Sequence, residues 1–264
     1  MLVTGAAIAM ALLYGPRPNE IAAAADRSLA VHGLGVMQVD VAGFEHTLPE
    51  DIFQALALSE PVSILSYDTL AARRRLEALA WIEHADVARV LPDNLVVQLK
   101  ERRPFAVWQH RQMLFVIDRD GRMLEPVAPS DYPGLPAIVG EGAGERAASL
   151  FELIRVRPEI AARFETAIRI ADRRWTIRLK NGPELLLPET GEADALDLVS
   201  RLQSEDRLLD RAVAAVDLRL AGRPSVTLLA GAAERLAANR RQRRGDPVPT
   251  AVSVPAGDAA EQGT

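Results

Sequence analysis

The stretch from Leu91 to Gln109, LPDNLVVQLKERRPFAVWQ, constrains the fold more than any other. Leu95, Val97 and Leu99 alternate with Val96, Gln98 and Lys100. A period of two sends one row of side chains into a core and the other towards solvent, so this is a strand. Pro92, Asp93 and Asn94 supply the turn before it. At Glu101-Arg102-Arg103-Pro104 the ladder must break, because Pro104 has no N–H to donate. A strand, a charged corner and the start of a second strand are therefore expected, with the upstream chain as scaffold for the first.

That scaffold reads as strand, helix, helix, strand, strand. Met37, Val39 and Val41 alternate with Gln38 and Asp40 up to Gly43. Thr47-Leu48-Pro49-Glu50 has the spacing of a capping box with proline in the first turn, and Ile52, Phe53 and Leu56 supply an apolar face. After a loop around Pro61, Asp68 is placed to cap a second helix that buries Ala72, Leu76, Leu79 and Ala80 and keeps Arg73, Arg74 and Arg75 wet. Strands at about Ala85–Val90 and Asn94–Glu101 follow.

Downstream, Leu114–Ile117 enters a tight turn at Asp118–Gly121 and leaves through Met123-Leu124, a hairpin pattern. A proline-rich loop from Pro126 to Pro136 leads to Ala137–Val139, then to helices at about Glu145–Arg155 and Pro158–Phe164. Trp175, Ile177 and Leu179 alternate with polar residues before Asn181-Gly182, a strong short-turn signal, with Leu185–Leu187 as the return strand. A helix near Ala193–Gln203 and strands at Ala214–Leu220 and Ser225–Leu229 complete an α+β domain on a mostly antiparallel sheet.

Residues 2 to 14 carry no charge and stop at Gly15-Pro16-Arg17-Pro18. A spanning helix needs roughly 20 residues, and no Lys or Arg precedes this run. Three readings stand: the tail of a transmembrane helix, a weak signal segment, or a buried core helix. The Pro/Arg stop and the Ala-rich Ile21–Ala30 segment suggest a membrane exit leading into a folded domain.

With 48% hydrophobic and 25% charged residues, the 264-residue chain can bury the cores of two modest domains. A net charge of −5 gives no reason to expect nucleic acid as a partner. The chain has no cysteine, which excludes disulfides and thiolate metal sites and leaves the compartment open. Gly140-Glu141-Gly142-Ala143-Gly144-Glu145 imitates a phosphate loop, but Glu141 and Glu145 occupy the place of a pyrophosphate and the third glycine is misplaced. Asp118 and Asp120 imitate a calcium loop without its closing Glu, and a hairpin turn explains the same residues. His32, His46, His84 and His110 show no ligand spacing, and no nucleophile elbow or metalloprotease helix is present. The residues thus point to no catalytic site, cofactor, metal or small-molecule substrate. The basic run Arg240–Arg244 reads as a solvated helix end before a Pro/Ala/Gly tail.

The chemistry that remains is that of backbone edges. Val226, Thr227, Leu228 and Leu229 form an uncharged, β-prone run after Gly222, Pro224 and Ser225, without the Lys, Pro or bulge that protects soluble edges. Such an edge can accept a strand from another protein. An internal or self-covered strand is the competing reading.

The strand and helix order resembles the POTRA module. The segments AWIEHADVARVLPDNLVVQLKERRPFAVWQ, FVIDRDGRMLEP, LPAIVGEGAGERAA, RRWTIRLKNGPELLLPE and VDLRLAGRPSV, in this order, narrow the resemblance to the FtsQ/DivIB family of bacterial cell-division proteins, most nearly its proteobacterial forms. It covers about residues 30 to 229. The division it implies is a truncated transmembrane segment at 1–14, a linker at 15–35, a POTRA-like domain at 36–103, a β domain at 104–230 and a helical then disordered tail at 231–264. The resemblance further implies a non-enzymatic, single-pass inner-membrane scaffold at the division septum, with its bulk in the periplasm. Such a scaffold binds the coiled-coil division proteins FtsB and FtsL and controls septal peptidoglycan synthesis. Carried over by position, the partner strand is Leu220 to Leu229, through Leu220, Gly222, Ser225, Val226, Thr227, Leu228 and Leu229. Leu220 and Leu228 stand where some relatives have aromatic anchors, so the hot spot is expected to be aliphatic. Met37, Val39, Val41, Glu101, Arg102, Arg103 and Pro104 resemble the family's region for localisation and earlier-arriving partners. The alternative is a POTRA-bearing accessory of transport or outer-membrane assembly. A large barrel does not fit after His110, since each membrane strand needs roughly 10 residues plus turns.

Overall fold

In the computed structural model, residues 26–58, 62–180, 182–220, 222–232 and 234–235 are described. The expected membrane segment, the loop at Pro61, Asn181, the basic run and the tail lie outside them. Among the described residues no helix is long and apolar enough to cross a membrane. The chain forms two compact units, Met1–Leu135 and Pro136–Thr264. Both mix helices with sheet.

In the first unit, β1 (Gln38–Ala42), α1 (Pro49–Leu56), α2 (Thr69–Ala78), β2 (Ile82–Val90) and β3 (Asn94–Glu101) follow the expected order. The sheet runs β1-β3-β2, with β1 parallel and β2 antiparallel to the central β3. Leu95, Val97 and Leu99 are buried against Ile52, Leu56, Ile64 and Leu76, as the alternation requires. Gly43 takes φ +87°, and a Cβ there would meet the Leu99 carbonyl oxygen at 1.9 Å, so only glycine fits between β1 and β3.

Two local expectations need correction. Pro49 does open α1, but Leu48 is its N-cap and no side chain caps it. The Thr47 hydroxyl instead donates to Glu101 Oε1 at 2.6 Å, a charge-assisted bond that outcompetes the local cap. Second, α2 starts as expected, with Asp68 accepting from the Ala71 N–H at 3.0 Å, but stops at Ala78 because Leu79 turns extended. That frees β2 to begin at Ile82, three residues before the expected Ala85. Arg75 stays exposed, as expected, yet it is not idle. Its Nε donates to the Ala55 carbonyl at 2.5 Å, and Tyr67 Oη to that of Leu56 at 2.8 Å, satisfying the exposed end of α1.

The same unit continues through the meander β4 (Ala106–His110), β5 (Met113–Ile117) and β6 (Met123–Pro126). Trp81, at the start of the β2 region, is buried with Val116 and Leu124 of the meander. Asp118 closes the β5–β6 turn by accepting from the Asp120 and Arg122 N–H groups at 3.0 and 2.8 Å. Its other oxygen accepts from Arg102 at 2.7 Å, which explains the acidic turn without a metal.

In the second unit the strand order is β7 (Ala137–Val139), β8 (Phe164–Ile170), β9 (Arg174–Leu179), β10 (Glu184–Leu186), β11 (Val213–Asp217) and β12 (Ser225–Leu228). Two pairs, β7–β8 and β10–β11, are parallel, and the rest are antiparallel. Parallel neighbours need long crossovers, supplied by α3 (Ala143–Arg155) with α4 (Pro158–Ala161), and by α5 (Glu192–Asp206) with a 3-10 turn at Leu208–Asp210. Ile138, Leu150, Ile177, Leu185, Leu196 and Val216 are buried between sheet and helices.

Here the sequence reading misses one strand and misplaces a helix end: α4 ends at Ala161, and Phe164 begins β8. The buried residue of β8 is Ala167, too small to produce a visible alternation. The β9–β10 hairpin forms, but Arg178 faces Glu184, so its connection is longer than an Asn-Gly pair and Gly182 keeps an ordinary φ. The glycine loop after β7 serves close packing. A Cβ on Gly140 (φ +109°) would lie 2.4 Å from the Arg169 carbonyl oxygen.

Candidate functional site

The expected partner strand divides into two parts. Only Ser225–Leu228 is strand; β11 ends at Asp217, not Leu220. The cause is local. Asp217 Oδ1 accepts from the Arg219 N–H at 3.0 Å, an Asx turn, and the Asp217 carboxylate pairs with the Arg219 guanidinium. That arginine bond holds the Asp217 carboxyl below its ordinary value. Leu218 still hydrogen-bonds Leu186 and is buried, whereas Leu220 sits in the following bend, 69% exposed, and Gly222 turns at φ +71°.

In the strand order β12 is terminal. Its register with β11 pairs Val226 with Val216 and Leu228 with Val213, across a bulge. The Leu229 N–H is given to Ala212, and Leu218 on the β11 side turns to β10. By the alternation of strand backbone, Thr227 and Ser225 face β11, and the N–H and C=O of Val226 and Leu228 face the side where no strand among the described residues pairs. Opposite residues share a face, so the side chains of Val226 and Leu228 lie on the covered side with buried Val216 and Val213. They mark its margin: Val226 is exposed and Leu228 half-buried. Leu229, just beyond, is half exposed.

Beside this edge lies a cavity of about 350 Å³ between Leu218, Leu220 and Pro224 on one side and Gly191, Ala195 and Leu198 on the other. The α5 residues carry no partner signal in the sequence. The crossover brings them to the edge, and only the fold reveals them.

The second expected region is also split. β1 lies at a sheet margin, with Met37 before it 79% exposed and Val39 and Val41 packed on the core. The corner is occupied internally. Burial alone would raise the Glu101 carboxyl. Bonds from the Thr47 hydroxyl (2.6 Å), the Thr47 N–H (2.8 Å) and the His46 N–H (3.0 Å) bring it down to about 2. The His46 ring also reaches Glu101 at 3.1 Å and stacks on Trp81 at 4.1 Å. Arg102 pairs with Asp118, Pro104 is partly covered, and Arg103 alone of the corner is exposed. No spacing in the sequence signals this role for His46, since its partner lies 55 positions away. Among the described residues no cluster of potential metal ligands occurs.

A β-α-α-β-β module followed by a sheet whose last strand, among the described residues, pairs on one side only defines a class of POTRA-bearing proteins. Residues 34–102 match the family model described as "POTRA domain, FtsQ-type", and residues 106–219 that of "Cell division protein FtsQ/DivIB, C-terminal". The chain is 41% identical to a "Cell division protein FtsQ" of Rhizobium radiobacter over 70% of its own length and 88% of that protein's. A second protein of that name, from Agrobacterium fabrum, is 40% identical over 77% of this chain and 64% of its own length, and one from Caulobacter vibrioides 32% identical over 87% and 80%. The chain belongs to the FtsQ/DivIB family of bacterial cell-division proteins. It spans slightly under two thirds of the length of the Agrobacterium fabrum relative.

Proposed function

We propose that this chain is a non-enzymatic division scaffold, held in the inner membrane by an N-terminal helix with its bulk in the periplasm. It localises to the septum, binds FtsB and FtsL, and links early to late division proteins so as to control septal peptidoglycan synthesis. Family membership supports the division role. The observation that carries the binding mode is the edge of β12 that no strand among the described residues pairs, where the outward groups of Val226 and Leu228 and the neighbouring cavity offer a partner strand both hydrogen bonds and an apolar seat. Leu220, Val226 and Leu229 supply the exposed aliphatic contact.

Backbone substitution tests the mode directly. Proline is tolerated where an edge N–H faces solvent and not where it serves the ladder. Val226→Pro therefore keeps the fold and weakens capture of the periplasmic segments of FtsB and FtsL by at least about tenfold, equivalent to about 1.4 kcal/mol. Thr227→Pro removes an inward bond and lowers stability by about 1 kcal/mol or more. Titration calorimetry and urea unfolding of both variants separate the two effects; full affinity in a folded Val226→Pro protein defeats the assignment. Leu228→Asp is the less clean test, because half-buried Leu228 lies opposite buried Val213 and its loss also costs stability.

A further inference from the structure

The first unit carries a second free edge. In the order β1-β3-β2 nothing among the described residues pairs with the outer side of β1. The Asp93 carbonyl takes both the Met37 N–H, before the strand, at 2.9 Å and the Gln38 N–H at 3.3 Å, and the parallel register of Gln38 with Asn94 makes Gln38 the residue that faces β3. By alternation, the N–H and C=O of Val39 and Val41 face outwards. Their side chains point towards α1, where with Phe44, Pro49, Ile52 and Phe53 they line a groove of about 220 Å³. Phe53 is 51% exposed at its rim. An aromatic side chain left half in water beside unpaired backbone is the arrangement that strand addition uses: main-chain bonds for affinity, a pocket for one alternate side chain.

The rim is of one sign. Glu45, Glu50 and Asp51 are all exposed in the β1–α1 loop and the first turn of α1. The one basic-type side chain of that loop, His46, is turned away to Glu101 and Trp81. Asp40, on the other face of β1, accepts from the Gln38 and Asn94 side-chain amides, each at 2.9 Å. An acidic rim around an apolar seat selects a cationic segment and disfavours an acidic one.

We propose that the β1–α1 groove binds an extended segment of a partner protein, added as a strand to β1, with one apolar side chain in the groove and Lys or Arg flanking it. The occupant is a cationic polypeptide, not a second copy of this chain, whose own β1 region is acidic and would be repelled. This site is distinct in sequence from β12, and its test does not depend on the partners assigned there.

The probe is a fluorescently labelled peptide, Lys-Thr-Leu-Thr-Val-Thr-Lys, titrated by anisotropy against the full chain in detergent. Saturable binding is expected. It weakens at least about tenfold for the counterpart with Glu at both ends, for the peptide N-methylated at alternate amides, and for Phe53→Ser, a change at an exposed position that leaves the fold intact. It persists in Val226→Pro, and hydrogen exchange slows in residues 38–42. Absence of saturable binding overturns the proposal. So does equal binding of the Glu peptide, indifference to Phe53→Ser, or loss in Val226→Pro, which would place the peptide on β12. A dimer in sedimentation that Phe53→Ser dissolves would assign the groove to a second copy and overturn the commitment to a partner.

Discussion

Glu101 shows how one side chain at the end of a strand can organise a loop far away in sequence. Its carboxylate collects the Thr47 hydroxyl and the backbone N–H groups of His46 and Thr47, and so fixes the loop leading into α1. Glu101→Ala leaves the mostly buried Thr47 hydroxyl without its acceptor and is expected to cost about 2 kcal/mol in urea unfolding. The pH dependence follows from the depressed carboxyl. A group lowered from 4.5 to about 2 contributes its full stability above about pH 4.5 and loses it as pH falls towards 2. Acid unfolding of Glu101→Gln is therefore expected to show a shallower loss of stability across that window than the parent protein. Identical pH profiles would mean that the carboxylate is not linked to folding. None of this was legible locally. Thr47 and Glu50 have the spacing of a capping box, and a partner 54 residues away wins because a charged acceptor makes the stronger bond.

Among elements, the strands are better signalled than the turns that end them. β3 reads directly because it buries Leu95, Val97 and Leu99 on one face. β8 is invisible because its buried residue is an alanine. The β4–β5 turn is also unsignalled, since Arg111 and Gln112 take φ +46° and +67° where a two-residue hairpin turn favours Asn and Gly. Trp81 joins elements that a sequence reading assigns to separate domains, packing with Val116 and Leu124 while His46 stacks on its ring. Trp81→Ala is expected to cost about 3 to 5 kcal/mol and to loosen the POTRA-like sheet and the β4–β6 meander together. Hydrogen exchange of both regions checks this; protection lost in only one would show that they fold independently. The two free edges differ in the same terms. β12 is uncharged, whereas β1 carries Asp40 and an acidic surround.

For the whole chain, the proposal of a tethered scaffold predicts that the protein sediments with membranes and resists carbonate extraction, and that deleting residues 2 to 14 releases it. Release of the intact chain by carbonate would remove the membrane assignment. A net charge of −5 agrees with recognition through edges and grooves instead of a broad polyanion-binding face. The sequence by itself determined the α+β class, the order of the first five elements, the corner at Pro104 and the family, because alternation, turn residues and long ordered motifs are local and survive without a fold. Tertiary structure alone decided which backbone groups remain unpaired. Whether Val226 or Thr227, Val39 or Gln38, turns its N–H outwards depends on register with strands distant in the chain. The seats beside those edges depend on where α1 and α5 come to lie. Pairing and crossover are properties of contacts between remote residues, and no local pattern encodes them.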